Sequence, residues 1–381
     1  MKSLSRLLPV FIAFYCMGFI DIVGTAVNLA SIDFKLDATL MQFLTFMIFV
    51  WFFIFSIPTG IVQDRLGKKN VVLFALMITV LAMILPFIVY SFTVLIVSLA
   101  LLGIGNTVIQ VSLNPLLYDV SPEGNYSSNM SLSQFIKSVA AFFGPLLTVF
   151  FAKMLDDWRY IFLFYGILSA LSMIWLSFTP VIEKARSQTP ARLGPCLKLL
   201  GNGYVLSMVL GIFIVVGLDV GMNTGVPRFL ERHGFTSNQA ISGISIYIFA
   251  LMISRFLGAI ILKKLNARAF LLISAFLTLA GLVFLIFDID PLFTKIAILL
   301  VGLGSANIFP LIFSLSIERM PDRSNEISGL MIMAISGGAL FPLIMGIIID
   351  SLGLTASIVF LLLISLYLGY LSLKYALSKN S

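Results

Sequence analysis

The chain has 381 residues, of which 60% are hydrophobic and only 11% charged, and its mean hydropathy is +1.09. Soluble globular domains carry about a quarter of their residues as charges, so this composition excludes a water-soluble fold and requires apolar surface facing lipid. One His and two Cys exclude a disulfide or Cys/His metal framework, and the net charge of +7 has a membrane explanation, because Lys and Arg gather in cytoplasmic loops.

Lys2 and Arg6 precede an apolar stretch, 7–30, that is long enough to span a bilayer. No small-residue cleavage site follows it, so a retained first helix is expected rather than a signal peptide. Twelve apolar runs succeed one another at 8–30, 40–62, 71–92, 94–117, 131–153, 158–179, 204–230, 240–262, 269–288, 293–316, 327–349 and 354–376. They are continuous, not alternating, which predicts helices and not a β-barrel. The expected fold class is therefore an all-α membrane protein with twelve transmembrane helices in two pseudo-symmetric six-helix bundles. The bundles are 1–180 and 204–381, joined by a polar linker, 181–203, that carries Glu183, Lys184, Arg186, Arg192 and Lys198. With both termini inside, sixteen Lys and Arg fall in cytoplasmic segments against six outside. The inner membrane of a bacterium, with cytoplasmic termini, is the expected location.

The two bundles read as repeats. Asp21 and Asp219 lie 198 residues apart in spans 1 and 7, and Gly60 and Gly258 lie 198 apart in spans 2 and 8. Gly103-Ile104-Gly105 in span 4 answers Gly302-Leu303-Gly304 in span 10, and Pro145 in span 5 answers Pro342 in span 11. Repeats of this kind place a solute site at the midplane and rock around it.

The most specific motif is Gly60-Ile61-Val62-Gln63-Asp64-Arg65-Leu66-Gly67-Lys68-Lys69, expected in the loop after span 2. Gly60 suits close helix contact and Gly67 a tight turn. Asp64 can pair with a cation or a helix N-terminus, and Arg65, Lys68 and Lys69 keep the segment in the cytoplasm. This stretch resembles the loop 2–3 signature of the major facilitator superfamily. Lys263-Lys264-Leu265-Asn266-Ala267-Arg268 looks like a degraded second copy, and Trp158-Arg159 also looks like that superfamily. A narrower resemblance is to the fucose–galactose–glucose proton symporter family. It is carried by Gly211 to Gly221 around Asp219, by Ser254-Arg255-Phe256 with Gly258, by Asn307 to Leu315 and by Ser328 to Ala339.

The family likeness implies proton-coupled solute uptake, but the first half departs from its pattern. Asp21 lies about one turn from the usual acid of helix 1. The acid of helix 4, counted back from Asn114-Pro115, falls on Gln110. Gln134 is kept in helix 5, whereas the amide three residues later is Lys137.

Charges inside spans need a partner or a purpose. Asp21 is read as a proton carrier or as an ion-pair partner of Lys137. Lys137 is alternatively a contact for an anionic group on the substrate. Asp219 is a coupling or substrate residue, or a packing partner of Asn223 or Arg255. Arg255, two turns from Lys263, is read as a snorkelling or gate-stabilising cation near the inner face. Gln110, Asn114, Gln134, Asn223 and Asn307 are candidate hydroxyl-binding amides, with interhelical hydrogen bonding as the alternative. Gly337-Gly338 reads as close packing or a hinge.

An enzyme is not expected. There is no phosphate-binding Gly-Lys-Ser/Thr loop, and the sole His, His233, falls at the edge of span 7, so no Ser-His-acid set forms. No cofactor is expected beyond a proton or other coupling ion. The expected partners are a small-molecule substrate and membrane lipid, with no nucleic acid and with one chain as the working unit. The expected function is secondary active transport of a sugar, sugar acid or organic anion by alternating access. An exporter of metabolites or drugs, run as a proton antiporter, is the alternative.

Overall fold

The structure is a computed structural model that describes residues 4–36, 38–183, 191–232, 234–287 and 289–377. Lys2, Lys184, Arg186 and His233, named above, lie outside the described residues. Among those residues twelve helices are long and apolar enough to cross a membrane. They are α1 Ser5–Asp33, α2 Phe46–Leu66, α3 Lys68–Ile88, α4 Phe92–Val120, α5 Tyr126–Met154 and α6 Tyr160–Phe178. The second set is α7 Gly203–Glu231, α8 Gly243–Ile261, α9 Ala267–Phe287, α10 Pro291–Arg319, α11 Pro321–Leu352 and α12 Leu354–Ala376. The expected all-α, twelve-span fold is the one observed.

Local chemistry sets the ends. Ser91 caps α4 by accepting from Val94 N, and Asn202 caps α7 by accepting from Tyr204 N and Val205 N. Asp290 caps α10, with Pro291 in the first turn where its missing N–H costs nothing. Gly67, at φ 88°, stops α2 and starts α3, a conformation an L side chain resists. Because nothing before Gly67 breaks the helix, α2 runs on to Leu66. Gly60, Asp64 and Arg65 therefore stand on its last two turns and not in a loop, a correction to the expected boundary at 62.

Three spans expected to be continuous are interrupted. In α1 a 3-10 segment, Gly18–Ile22, separates Leu4–Met17 from Val23–Asp33. In α10, Pro291–Ser305 and Ile308–Arg319 are separate helices. In α11, a 3-10 turn at Ala334–Ser336 divides Ser324–Met333 from Gly337–Leu352. Hydropathy registers only the apolar run, which passes unbroken through each interruption.

By contacts the chain forms two units. Unit 1 is Met1–Tyr126, Ile136–Lys198 and Met320–Met333; unit 2 is Ser127–Phe135, Leu199–Arg319 and Ala334–Ser381. The starts of α5 and α11 thus belong to the unit opposite the one expected from chain order. Phe14, Phe19, Phe52, Phe162 and Tyr165 are fully buried in unit 1, with the Phe19 and Tyr165 rings stacked at 3.8 Å. Leu218, Met222, Tyr247, Leu282 and Phe341 lie in the core of unit 2. Phe53, Phe74, Phe276 and Leu343 are exposed on the protein, as helices bathed in hydrocarbon require.

Candidate functional site

In unit 1 the interruption of α1 is the focus. The 3-10 segment carries Asp21, which is exposed instead of sunk in the bundle as its apolar neighbours suggested. Met17 ends the first half of α1, and its carbonyl accepts from Asn106 Nδ2 at 2.7 Å. Asn106 Oδ1 accepts in turn from Gln110 Nε2 at 2.7 Å, and the Gln110 carbonyl accepts from Asn114 Nδ2 at 2.8 Å. Three amides at i, i+4 and i+8 on α4 therefore make a buried ladder that ends on a carbonyl at the break. Gln110 and Asn114 were singled out in the sequence. Asn106, which makes the junction, was missed although its spacing gave it away.

On α5, Lys137 is half-buried and its backbone lies against α1. A Cβ added at Gly18 would sit 2.6 Å from Lys137 O and 2.7 Å from Ala140 Cβ. Gly18 thus brings the backbone at Lys137 to within three residues of Asp21. Gln134, 4% exposed, belongs to unit 2.

In unit 2 the focus is the break in α10. Asp219, half-buried on α7, accepts from the Tyr247 hydroxyl of α8 at 2.8 Å. Tyr247 has no exposed surface, and its oxygen is 3.4 Å from Ser305 Oγ, the last residue before the break. Arg255 Nε donates to Ala306 O at 3.3 Å, and Ser254 Oγ donates to Leu303 O at 2.6 Å. Asn307 Nδ2 donates back to the Ser254 carbonyl and hydroxyl at 2.8 and 3.0 Å. Arg255 therefore contacts the α10 interruption. Asn307 is fully buried and holds α8 to α10, which is the helix-joining alternative of the two sequence readings. Asn223 Nδ2 donates to the Asp219 carbonyl at 3.0 Å, within its own helix. Tyr247 and Ser305 were not found from sequence, since a Tyr in an aromatic-rich chain carries no spacing signal.

At the end of α2, Gln63, Asp64, Lys68 and Lys69 make hydrogen bonds within unit 1. Asp64 accepts from Ala191 N and from Asn325 Nδ2, both at 3.0 Å, and Gln63 Nε2 donates to Asn325 O at 3.3 Å. A Cβ at Gly60 would lie 2.7 Å from Asn325 O, so only glycine admits the start of α11 there. Lys68 is not the surface charge expected of it. It is 4% exposed, and its ammonium meets Asp119 of α4 at 2.7 Å. Lys69 Nζ donates to the carbonyls of Ser177 and Thr179 at 2.9 and 2.8 Å. Arg65 is exposed on the last turn of α2.

At the opposite end of unit 1, Asp33 Oδ2 accepts from Tyr90 OH at 2.7 Å and from Trp158 Nε1 at 3.1 Å. Arg159 lies over the Tyr90 ring at 4.8 Å and pairs with Asp157 at 2.6 Å. Hydrogen bonding from Arg159 holds the Asp157 carboxyl below its usual range, against the opposing effect of burial.

The sequence profile of the Major Facilitator Superfamily matches residues 10–342. The chain belongs to the Major Facilitator Superfamily. Curated relatives of this superfamily member include a "Glucose/galactose transporter" of Brucella abortus, 24% identical over 94% of this chain and 91% of that one. A "Putative glucose/galactose transporter" of Helicobacter pylori is 26% identical over 90% of this chain and 89% of its own. An "L-fucose-proton symporter" of Haemophilus influenzae is 30% identical over 35% of this chain and 31% of its own. The crystal structure of the E. coli fucose:proton symporter superposes over the full length of both chains with a TM-score of 0.86 at 16% identity. A proton:xylose symporter of the superfamily gives 0.79 at 14% identity, over 98% of this chain and 95% of that one. The fold of this Major Facilitator Superfamily protein is thus that of its structural neighbours, and it is a membrane transporter, not an enzyme.

Proposed function

We propose that this transporter takes up a hexose or a related sugar acid by proton-coupled symport and alternating access. The observation that carries the reading is the pair of repeat-related acids, Asp21 and Asp219, each beside a helix interruption. Asp219 is held by a fully buried tyrosine, and Asp21 stands exposed on the 3-10 turn of α1. An acid in so apolar a chain gains and loses its proton according to its neighbours, and a bound polar solute is one such neighbour.

Curated relatives that match nearly the full chain carry the name glucose/galactose transporter, which supports a hexose. Lys137 on α5 and Gln110 in place of an acid on α4 favour a substrate bearing a carboxylate. Exposed Asp21 and half-buried Lys137, foremost among the polar groups, meet the solute. The amide ladder of Gln110 and Asn114, with Gln134, Asn223 and Asn307, shapes the helices that carry them. No cofactor other than the coupling ion takes part. One chain is the working unit, both termini face the cytoplasm and the inner membrane is its place, as the sixteen-to-six distribution of basic residues supports.

Uptake of labelled glucose, galactose, fucose and galacturonate into proteoliposomes, with and without an imposed inward proton gradient, tests the proposal. Accumulation that needs the gradient and is lost in Asp21→Asn or Asp219→Asn supports symport. Gradient-independent equilibration in the wild type, or gradient-driven efflux, refutes it; the latter would make the protein an exporter.

A further inference from the structure

The repeat that makes the two bundles alike also exposes one place where they differ. In unit 2, the start of α7 meets the end of α12 at Tyr204 and Tyr375, whose rings pack edge to face at 5.1 Å. Tyr204 donates to Leu315 O at 3.1 Å, and Arg319 covers its ring at 4.3 Å. What space remains there is about 30 Å³. The corresponding place in unit 1 is the start of α1 against the end of α6. The residue 198 positions before Tyr204 is Arg6. Here the space is about 470 Å³, lined by Ser5, Arg6, Trp175, Phe178, Thr179 and Pro180. The same fold therefore nearly fills this corner around a tyrosine pair in one repeat and leaves a larger cavity beside Arg6 in the other.

The charge and shape of that cavity suit one class of ligand. Trp175 and Phe178 are 47% and 84% exposed, and large aromatic side chains at the ends of membrane helices settle at the level of lipid headgroups. The carbonyls that end α6 would repel an anion, but Lys69 Nζ already donates to two of them, Ser177 O and Thr179 O. Arg6 thus presents positive charge to the cavity, and Lys69 offsets the carbonyls at its rim. The nearby Glu183 carboxylate is turned to α3, accepting from Lys68 N and Lys69 N at 3.0 Å. A guanidinium matches a phosphodiester in geometry as well as charge. A volume of several hundred Å³ is that of a small-molecule site.

We propose that this cavity binds the headgroup of an anionic phospholipid from the leaflet on the side of the basic loops. Its phosphate meets Arg6 and its acyl chains run down past Trp175. Because Lys69 and Glu183 join the end of α6 to the start of α3, the site lies on the same strap as the α2 motif. The proposal needs only the membrane-spanning fold and holds whatever the substrate proves to be.

Trp175 supplies the measurement. Full-length protein is reconstituted in phosphatidylcholine vesicles containing equal fractions of either phosphatidylglycerol or phosphatidylcholine brominated near the head of the acyl chain. The Trp175 signal is the fluorescence lost in Trp175→Phe. Brominated phosphatidylglycerol should quench it as though enriched about fivefold, the preference one basic side chain confers near an anionic headgroup. Arg6→Ala should bring the two lipids to parity, and Arg6→Lys should keep part of the preference. Parity in the wild type, which needs no variant to fold, overturns the proposal. So does an undiminished preference in Arg6→Ala of native circular dichroism. Relief of the quenching by inorganic phosphate would assign the cavity to a free anion and likewise overturn the lipid.

Discussion

Tyr247 is the residue on which the chemistry of unit 2 turns. Its hydroxyl, with no exposed surface of its own, gives the half-buried Asp219 carboxylate a fixed donor. A hydrogen bond to a charged group contributes about 1.5–3 kcal/mol, or roughly ten- to a hundredfold in an equilibrium. Tyr247→Phe removes only the oxygen, so the helix should pack normally while the ionised form of Asp219 loses its support. Uptake should fall about tenfold or more while the circular dichroism stays native. Uptake at the wild-type rate would make the tyrosine merely structural. Asp219 was legible in the sequence, because a carboxylate in an apolar run and a repeat partner at 198 residues are both visible in one dimension. Its tyrosine was not, because nothing along the chain distinguishes Tyr247 from the other ten. Arg255 was legible as an intramembrane charge, but its distance along α8 says nothing about the break in α10 that it faces.

At the scale of elements, the breaks in α1, α10 and α11 matter more than helix lengths. Hydropathy found all twelve spans because lipid demands a run of some twenty apolar residues. It missed the interruptions because they cost nothing in hydropathy and are maintained by partners on other helices. The α1 break depends on Asn106, whose amide takes the Met17 carbonyl. Asn106→Leu strands that carbonyl and the Gln110 amide in a buried site, a cost of about 1–3 kcal/mol for each unsatisfied group. We expect a lower melting temperature in detergent and a larger loss of transport than of stability, because the 3-10 segment that displays Asp21 loses its anchor. Equal melting curves for the two proteins would discount the ladder.

A second element-level test is the buried pair between α3 and α4. Removing one partner of a buried ion pair costs about 3–5 kcal/mol, whereas replacing both by apolar groups is often neutral. Lys68→Met should therefore destabilise the protein strongly, and Lys68→Met with Asp119→Leu should recover most of the loss. If the double variant melts no higher than the single one, the pair is not what joins the helices. Lys68 was read as a loop charge because it follows Asp64-Arg65-Leu66-Gly67, and only the fold reveals that Gly67 turns it inward onto Asp119.

For the whole molecule, the proposed alternating access is tested by asking whether the contacts around Asp64 open during transport, and Cys196 is placed to report it. Its thiol is 1% exposed, lies 3.8 Å from Glu326 O at the start of α11, and is pushed up to about 12 by burial, with the charge of Glu326 adding to the effect. Only the thiolate reacts, and at pH 7.5 a group with that pKa is ionised to roughly one part in thirty thousand. Maleimide labelling of Cys196, in a Cys16→Ser background, should be slow and should climb about tenfold per pH unit over the alkaline range. Asp64→Ala removes the acceptor of both Ala191 N and Asn325 Nδ2, each bond to a carboxylate contributing about 1.5–3 kcal/mol. The start of α11 should then separate from α2 more often, exposing the thiol and returning it toward an ordinary pKa. Labelling at pH 7.5 should accelerate by at least about tenfold, since even one lost bond of that strength shifts an equilibrium by that factor. Substrate that drives the cycle should accelerate the wild type in the same direction. A rate unchanged by both Asp64→Ala and substrate would mean that these contacts stay closed throughout transport, and that the molecule moves about some other joint.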